Sequence, residues 1–485
     1  MIKRLVFLNL FVIAILISGL YVVIKKGEKL PVKPAQTQTQ TVLPGKDVSK
    51  VAVPITGISQ AFGQFEENAK HPLSLLLMQI LVILFASRVF SLILTFLGQQ
   101  SVIGEILAGI FLGPSVLKVL SPDFFNFLFP PSSLGTLQFL SQIGLAFFMF
   151  IIGMELDLKI IRSKARDALF VSNVSIAIPF VLGVSLAYYL YDSYAPSGVG
   201  FLAFSLFIGI SVSITAFPVL ARILQERGMT KTAVGSMAII CAATDDVSAW
   251  CILAAVIAIA KAGAIASALF TIILAMLFVT FMLLVVKPFL ARISSKKLNI
   301  DDPGKLAVAF SFFTLLCSAY IAELIGIHAL FGSFLAGVIM PQNILFKQKI
   351  TEKLEDVSVL VLLPIFFAFT GLRTQIGLLN DTHAWTALGF ILLVAVGGKF
   401  GGSTFAAKVT GQTWKNSLML GALMNTRGLM ELIVLNIGYD LGILSPQIFA
   451  MMVLMALATT LMTGPCLNLI EWISLKREVA RTRSL

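Results

Sequence analysis

The residues best placed to do chemistry in this chain are ionisable ones set in otherwise apolar sequence. Asp245 and Asp246 stand side by side in CAATDDVSAW, just after Thr244. Lys399 lies in VGGKFGG, and Arg427 and Glu431 lie in MNTRGLMELIVLNIG. Charge is costly in an apolar surrounding, so each such group is paired or functional. Arg427 and Glu431 are four apart and can pair along one helical face; a structural ion pair and a functional role both stay open. Asp245, Asp246 and Lys399 remain. All ionised, they leave one negative charge, which suits one monovalent cation. With one carboxylate protonated they are neutral without it. Asp245 and Lys399 could merely staple two helices, but Asp246 would then be a buried carboxylate with no partner and no purpose.

Polar residues and helix breakers gather at two further places. In FIGISVSITAFPVLARIL, Pro218 cannot donate a hydrogen bond and displaces the carbonyl of Ile214. Ser211, Ser213 and Thr215 offer oxygens beside it. In the second place, Asn425, Thr426 and Gly428 interrupt the segment that carries Arg427 and Glu431. Gly397, Gly398, Gly401 and Gly402 surround Lys399 and favour close helix packing.

Composition sets the class of the elements that must hold these groups. The chain has 485 residues, 58% hydrophobic and 12% charged, with a mean hydropathy of +0.96. Soluble proteins are about 45–50% apolar and about 25% charged. A soluble enzyme, a disordered chain and a nucleic-acid-binding domain are excluded, in spite of the +12 net charge. The expectation is an all-α polytopic membrane protein, because a lipid-exposed backbone must satisfy its own hydrogen bonds. Apolar stretches fall near 5–24, 73–97, 102–120, 134–156, 168–190, 199–224, 233–260, 264–291, 304–322, 326–341, 357–379, 384–408, 416–438 and 446–473. They are numbered below as spans one to fourteen. The four cysteines lie in apolar runs without metal-type spacing and read as small buried hydrophobes. His71, His328 and His383 fall at the ends of runs and read as interfacial residues, with pH sensing as the alternative.

Basic clusters follow the even-numbered spans. They include Lys159, Arg162, Lys164 and Arg166; Arg222, Arg227 and Lys231; Arg292, Lys296 and Lys297; and Lys347, Lys349 and Lys353. The odd-numbered loops hold few basic residues, among them Lys118, Lys261 and Arg373. The even loops and the tail with Lys476, Arg477, Arg481 and Arg483 are therefore expected in the cytoplasm of a bacterial inner membrane. Residues 1–72 read as a signal or anchor segment with an extracytoplasmic linker, 73–475 as the membrane unit, and 476–485 as a short basic tail. Spans five to seven and twelve to fourteen, about 168–260 and 384–473, each have an interrupted middle helix. Their offset is seven spans, an odd number, so the second set is inverted relative to the first. Discontinuous helices in corresponding positions point to a binding site near the midplane.

The ordered set IGEILAGIFLGPSVL, FFMFIIGMELD, SITAFPVLARIL, CAATDDVSAW and MNTRGLMELIVLNIG resembles the monovalent cation:proton antiporter-2 family over about residues 73–473. The resemblance implies thirteen core transmembrane helices beside the extra N-terminal segment, a homodimer, and a six-helix core moving against a dimerisation domain. It implies that Asp246 binds the cation (Na⁺ or K⁺) or the proton and that Asp245 pairs with Lys399. Thr215 and Asn425–Gly428 would lie beside the site. Many relatives carry Asn-Asp or Gln-Asp at the pair. The Asp-Asp type resembles electrogenic Na⁺/H⁺ exchange, whereas several nearer relatives handle K⁺; on the residues themselves, Lys399 is expected to release a proton as the cation binds. About a dozen residues follow span fourteen, so nucleotide or glutathione control is not expected, and no cofactor is. The alternatives are a cation-coupled solute symporter, an intramembrane aspartyl protease and a channel.

Overall fold

The computed structural model describes residues 2–31, 68, 71–155, 165–262, 265–297, 305–341 and 344–483. The TQTQTQT linker and residues 156–164 of the basic loop after span four lie outside the described residues. Every regular element among the described residues is helical. Among the described residues, ten helices are long and apolar enough to cross a membrane, or eleven when the bent pair Trp414–Met424 and Leu429–Asp440 counts as one span. This falls short of the expected thirteen because spans six and ten are carried by short helices: Phe201–Ser211 with Phe217–Glu226, and Ala329–Val338. None of these reaches the roughly 20 residues that a bilayer core requires.

Local sequence explains where helices start. Pro72, Pro131 and Pro446 open spans two, four and fourteen, where a missing N–H costs nothing. Span twelve starts at Thr382, after Asp381, whose carboxylate accepts from the Ala384 amide at 2.7 Å, satisfying an orphan donor of the first turn. Apolar residues then sort by neighbour. In span two, Leu77, Leu81 and Phe85 are exposed along one stripe, whereas Gln79, Ile83 and Ser87 on the other are buried. Such a helix faces hydrocarbon on its outside and protein on its inside.

Two groups of helices emerge. Spans two, three, four, nine, ten and eleven pack chiefly on one another, and spans five, six, seven, twelve, thirteen and fourteen form a second group. The first helix, Ile2–Gly27, packs on span five and on the first half of span six. Inside the second group the middle helices of the two triplets are broken. Span six leaves the helix between Ser211 and Phe217, and span thirteen opens between Met424 and Leu429. The breaks touch: the Ala216 amide donates to the Thr426 carbonyl at 3.0 Å. Pro218 is the second residue of the helix after the break. The interruption expected at Pro218 is there, and Pro218 falls in the first turn of the new helix because Pro suits a first turn better than a helix interior.

Candidate functional site

Span seven is one unbroken helix, Ala233–Ala262, that brings Asp245 and Asp246 to the crossing of the two breaks. Asp245 is fully buried and saturated with donors. Its Oδ1 accepts from Ser172 Oγ at 2.5 Å, and its Oδ2 accepts from Ser175 Oγ at 3.2 Å, Thr215 Oγ1 at 3.0 Å and Lys399 Nζ at 2.8 Å. Lys399 is itself fully buried and donates also to the carbonyls of Ser213 at 2.6 Å and Ser175 at 3.1 Å. Three acceptors match the three N–H bonds of an ammonium.

Two features of span twelve let Lys399 reach this place. It sits in a π-helical turn, Gly397–Gly401, a widening common at functional sites. A Cβ on Gly398 would lie 2.9 Å from the backbone of Pro179 in span five. Glycine therefore permits the close approach that lets Lys399 bridge spans five, six and seven.

Asp246 is different. It is 3% exposed, and neither carboxylate oxygen has a hydrogen-bond partner among the described residues. The Asn425 Oδ1 is likewise buried and without a donor. Unsatisfied buried acceptors are uncommon in proteins and invite a proton or a cation. Thr244 donates to the Ile240 carbonyl at 2.8 Å, and Ile214 lies buried in the break of span six.

Arg427 and Glu431 do pair, at 3.5 Å, but not across one turn of a single helix. Arg427 falls in the break and Glu431 in the first turn of the half-helix after it. The shorter contacts of Arg427 go elsewhere, to the carbonyls of Ser211 at 2.9 Å and Val212 at 2.6 Å. Its guanidinium therefore caps the C-terminus of the first half of span six, where unsatisfied carbonyls gather partial negative charge. Thr426 faces Thr463 at 3.3 Å, and Thr460 Oγ1 donates to the Arg427 carbonyl at 2.7 Å. Thr215 Oγ1 also lies 3.0 Å from the Met424 carbonyl, tying one break to the other.

The sequence reading missed Ser172, Ser175, Thr460 and Thr463. A trace existed in their spacing: the serines are three apart in span five and the threonines three apart in span fourteen, so each pair shares a helix face.

Comparison with known proteins gives this geometry a family. A model described as sodium/hydrogen exchanger, transmembrane, matches residues 80–470. The chain belongs to the sodium/hydrogen exchanger family. This exchanger is 41% identical over 396 residues to the Na⁺/H⁺ antiporter NhaS4 of Synechocystis, covering 81% of the chain and 97% of the relative. It is 40% identical to cation/H⁺ antiporter 17 of Arabidopsis thaliana, covering 85% of the chain and 50% of the relative. It is 33% identical to K⁺/H⁺ antiporter 1 of Saccharomyces cerevisiae, covering 86% and 48%. The chain thus spans about half the length of the plant and yeast relatives. Its fold is that of the sodium proton antiporter MjNhaP1 from Methanocaldococcus jannaschii, with a TM-score of 0.62 at 13% identity over 83% of this chain and 98% of that one.

Proposed function

We propose that this exchanger moves a cytoplasmic monovalent cation, Na⁺ or K⁺, outward against protons moving inward, and that Asp246 is the site for which the two compete. The observation that carries the reading is the bare, buried carboxylate of Asp246 beside the saturated Asp245–Lys399 pair. That pair is neutral as a unit while Lys399 keeps its proton, so one proton on Asp246 leaves the site neutral, and a monovalent cation on Asp246 balances that carboxylate in its place. Occupancy by either removes the cost of an unpaired buried charge, and the empty ionised site stays disfavoured during the change of access. Oxygen donors suit Na⁺ and K⁺, and Asp246 and Asn425 supply acceptor oxygens that no protein donor uses.

Lys399 releases a proton as the cation binds, which makes the cycle two protons per cation. The change requires Asp245 to leave Lys399 and turn to the cation. Exchange that responds to membrane voltage supports this stoichiometry, and voltage-insensitive exchange refutes it. The chain works as a transporter and not as an enzyme: Asp245 and Asp246 are adjacent on one helix and cannot face each other as a proteolytic dyad does. The loop charges support a bacterial inner-membrane orientation with the C-terminus in the cytoplasm, and the family resemblance supports a homodimer.

Purified protein in liposomes with an acidic lumen tests the reading. External NaCl or KCl should raise luminal pH for the wild type and not for Asp246→Asn. Full exchange by Asp246→Asn, or no response of folded wild type to either salt, overturns it.

A further inference from the structure

A second cluster of charge lies away from the Asp pair, at the seam between the two helix groups. Arg373 ends the helix Leu363–Arg373 of span eleven, and Asp440 ends the half-helix Leu429–Asp440 of span thirteen. Their Nη1 and Oδ1 atoms are 2.7 Å apart. Gln138 of span four donates to the other Asp440 oxygen at 2.9 Å. Asn436, one turn before Asp440, accepts from Arg373 at 3.2 Å and donates to Thr370 of span eleven at 2.9 Å. The Arg373 guanidinium also lies over Phe369 of its own helix, 4.4 Å from the ring centre, and over Tyr439 of span thirteen, at 5.3 Å. Each of these polar links joins one helix group to the other. Arg373 was a basic residue out of place in an odd-numbered loop, and Asp440 accounts for it.

The position of the cluster matters as much as its contacts. Asp440 ends the half-helix that begins beside Arg427 and carries Glu431 in its first turn. Any movement of this rod at one end is therefore felt at the crossing of the breaks. The loop charges assign the ends of spans eleven and thirteen to the outer face. On the same side of Asp246, one turn along span seven, the buried Trp250 stacks on Phe334 of span ten with ring centres 6.2 Å apart. A small cavity of about 20 Å³ adjoins the ion pair, lined by Arg373 and Asp440 together with Gln138, His328, Phe366 and Ile433 among others.

We propose that Arg373, Asp440, Gln138 and Asn436 form an outer latch, closed in this structure, that must open before Asp246 can exchange protons with the outer side. Trp250 and Phe334 form the apolar plug beneath it. The inference rests on the exchange reading above, and it assigns a gating role to residues that touch neither the cation nor Asp246.

Two measurements test it. The first places Gln138→Cys and Asp440→Cys in a chain whose four native cysteines are replaced by alanine, and bridges them with a short thiol-specific cross-linker. Each single variant should exchange; the bridged double variant should lose about ten-fold or more of its exchange and regain it on reduction. Bridged protein that exchanges as fast as reduced protein overturns the latch. The second follows Ile433→Cys, buried at 1% exposure in the cavity, with an impermeant maleimide added from the outer side. Adding Asp440→Asn should accelerate labelling several-fold, and unchanged labelling overturns the latch. Labelling needs no turnover, so if the wild type shows no exchange, the exchange reading fails while the labelling rates still decide on the latch.

Discussion

Asp245 and Asp246 share a helix and a burial depth, yet their surroundings are opposite. Asp245 receives four hydrogen bonds from spans five, six and twelve. Asp246, one residue on and rotated by about 100°, receives none. A saturated carboxylate is a fixed part of the structure, held by a partner whose loss would strand a buried charge. A bare one is a vacancy for something mobile. The pair thus separates holding from binding between two residues of the same type, and the lesson is that burial alone says nothing about role until the donors are counted.

The sharpest way to break this comparison is to neutralise each carboxylate in turn. Asp246→Asn should abolish exchange, by more than about 100-fold, while unfolding in detergent shows stability unchanged or raised by about 1–3 kcal/mol, because an unsatisfied buried charge is removed. Asp245→Asn should do the opposite to stability, lowering it by about 3–5 kcal/mol, since Lys399 is left as an uncompensated cation. Pairing Asp245→Asn with Lys399→Met should recover much of that loss, and a double-mutant cycle without coupling would contradict the ion pair as drawn. Arg427→Gln removes two charge-assisted hydrogen bonds to the span-six carbonyls and should cost about 2–4 kcal/mol, read as a fall in unfolding temperature. The smallest effect belongs to Thr215→Val, which loses one donor to Asp245 and the tie to Met424. About 1 kcal/mol and a several-fold slower exchange are expected there; a Thr215→Val protein as inactive as Asp246→Asn would move the binding role towards Asp245.

The two breaks offer a smaller comparison of the same kind. That in span six exposes carbonyls that Lys399 and Arg427 occupy, whereas that in span thirteen supplies Arg427 and is tied by hydroxyls of span fourteen. Each interruption satisfies the other's orphan groups, which is how irregular backbone survives at membrane depth.

How much of this was legible beforehand depended on the range of each signal. Charge within apolar runs singled out all five ionisable residues, because the cost of burying charge applies whatever the fold. Proline, glycine and asparagine in spans six and thirteen marked the breaks, because they act on their own backbone. Local reasoning went astray where partners are distant in sequence. Arg427 reads as the helical neighbour of Glu431 until its nearer partners are found in span six. The serines of span five were unremarkable on their own, as was Asp440. The sequence by itself determined that this is a helical membrane protein with costly charges at its middle, since composition and periodicity report on solvent and backbone. Only the tertiary structure decided which carboxylate is satisfied and which is bare, because hydrogen-bond partners come from helices up to about 150 residues away and their number depends on packing.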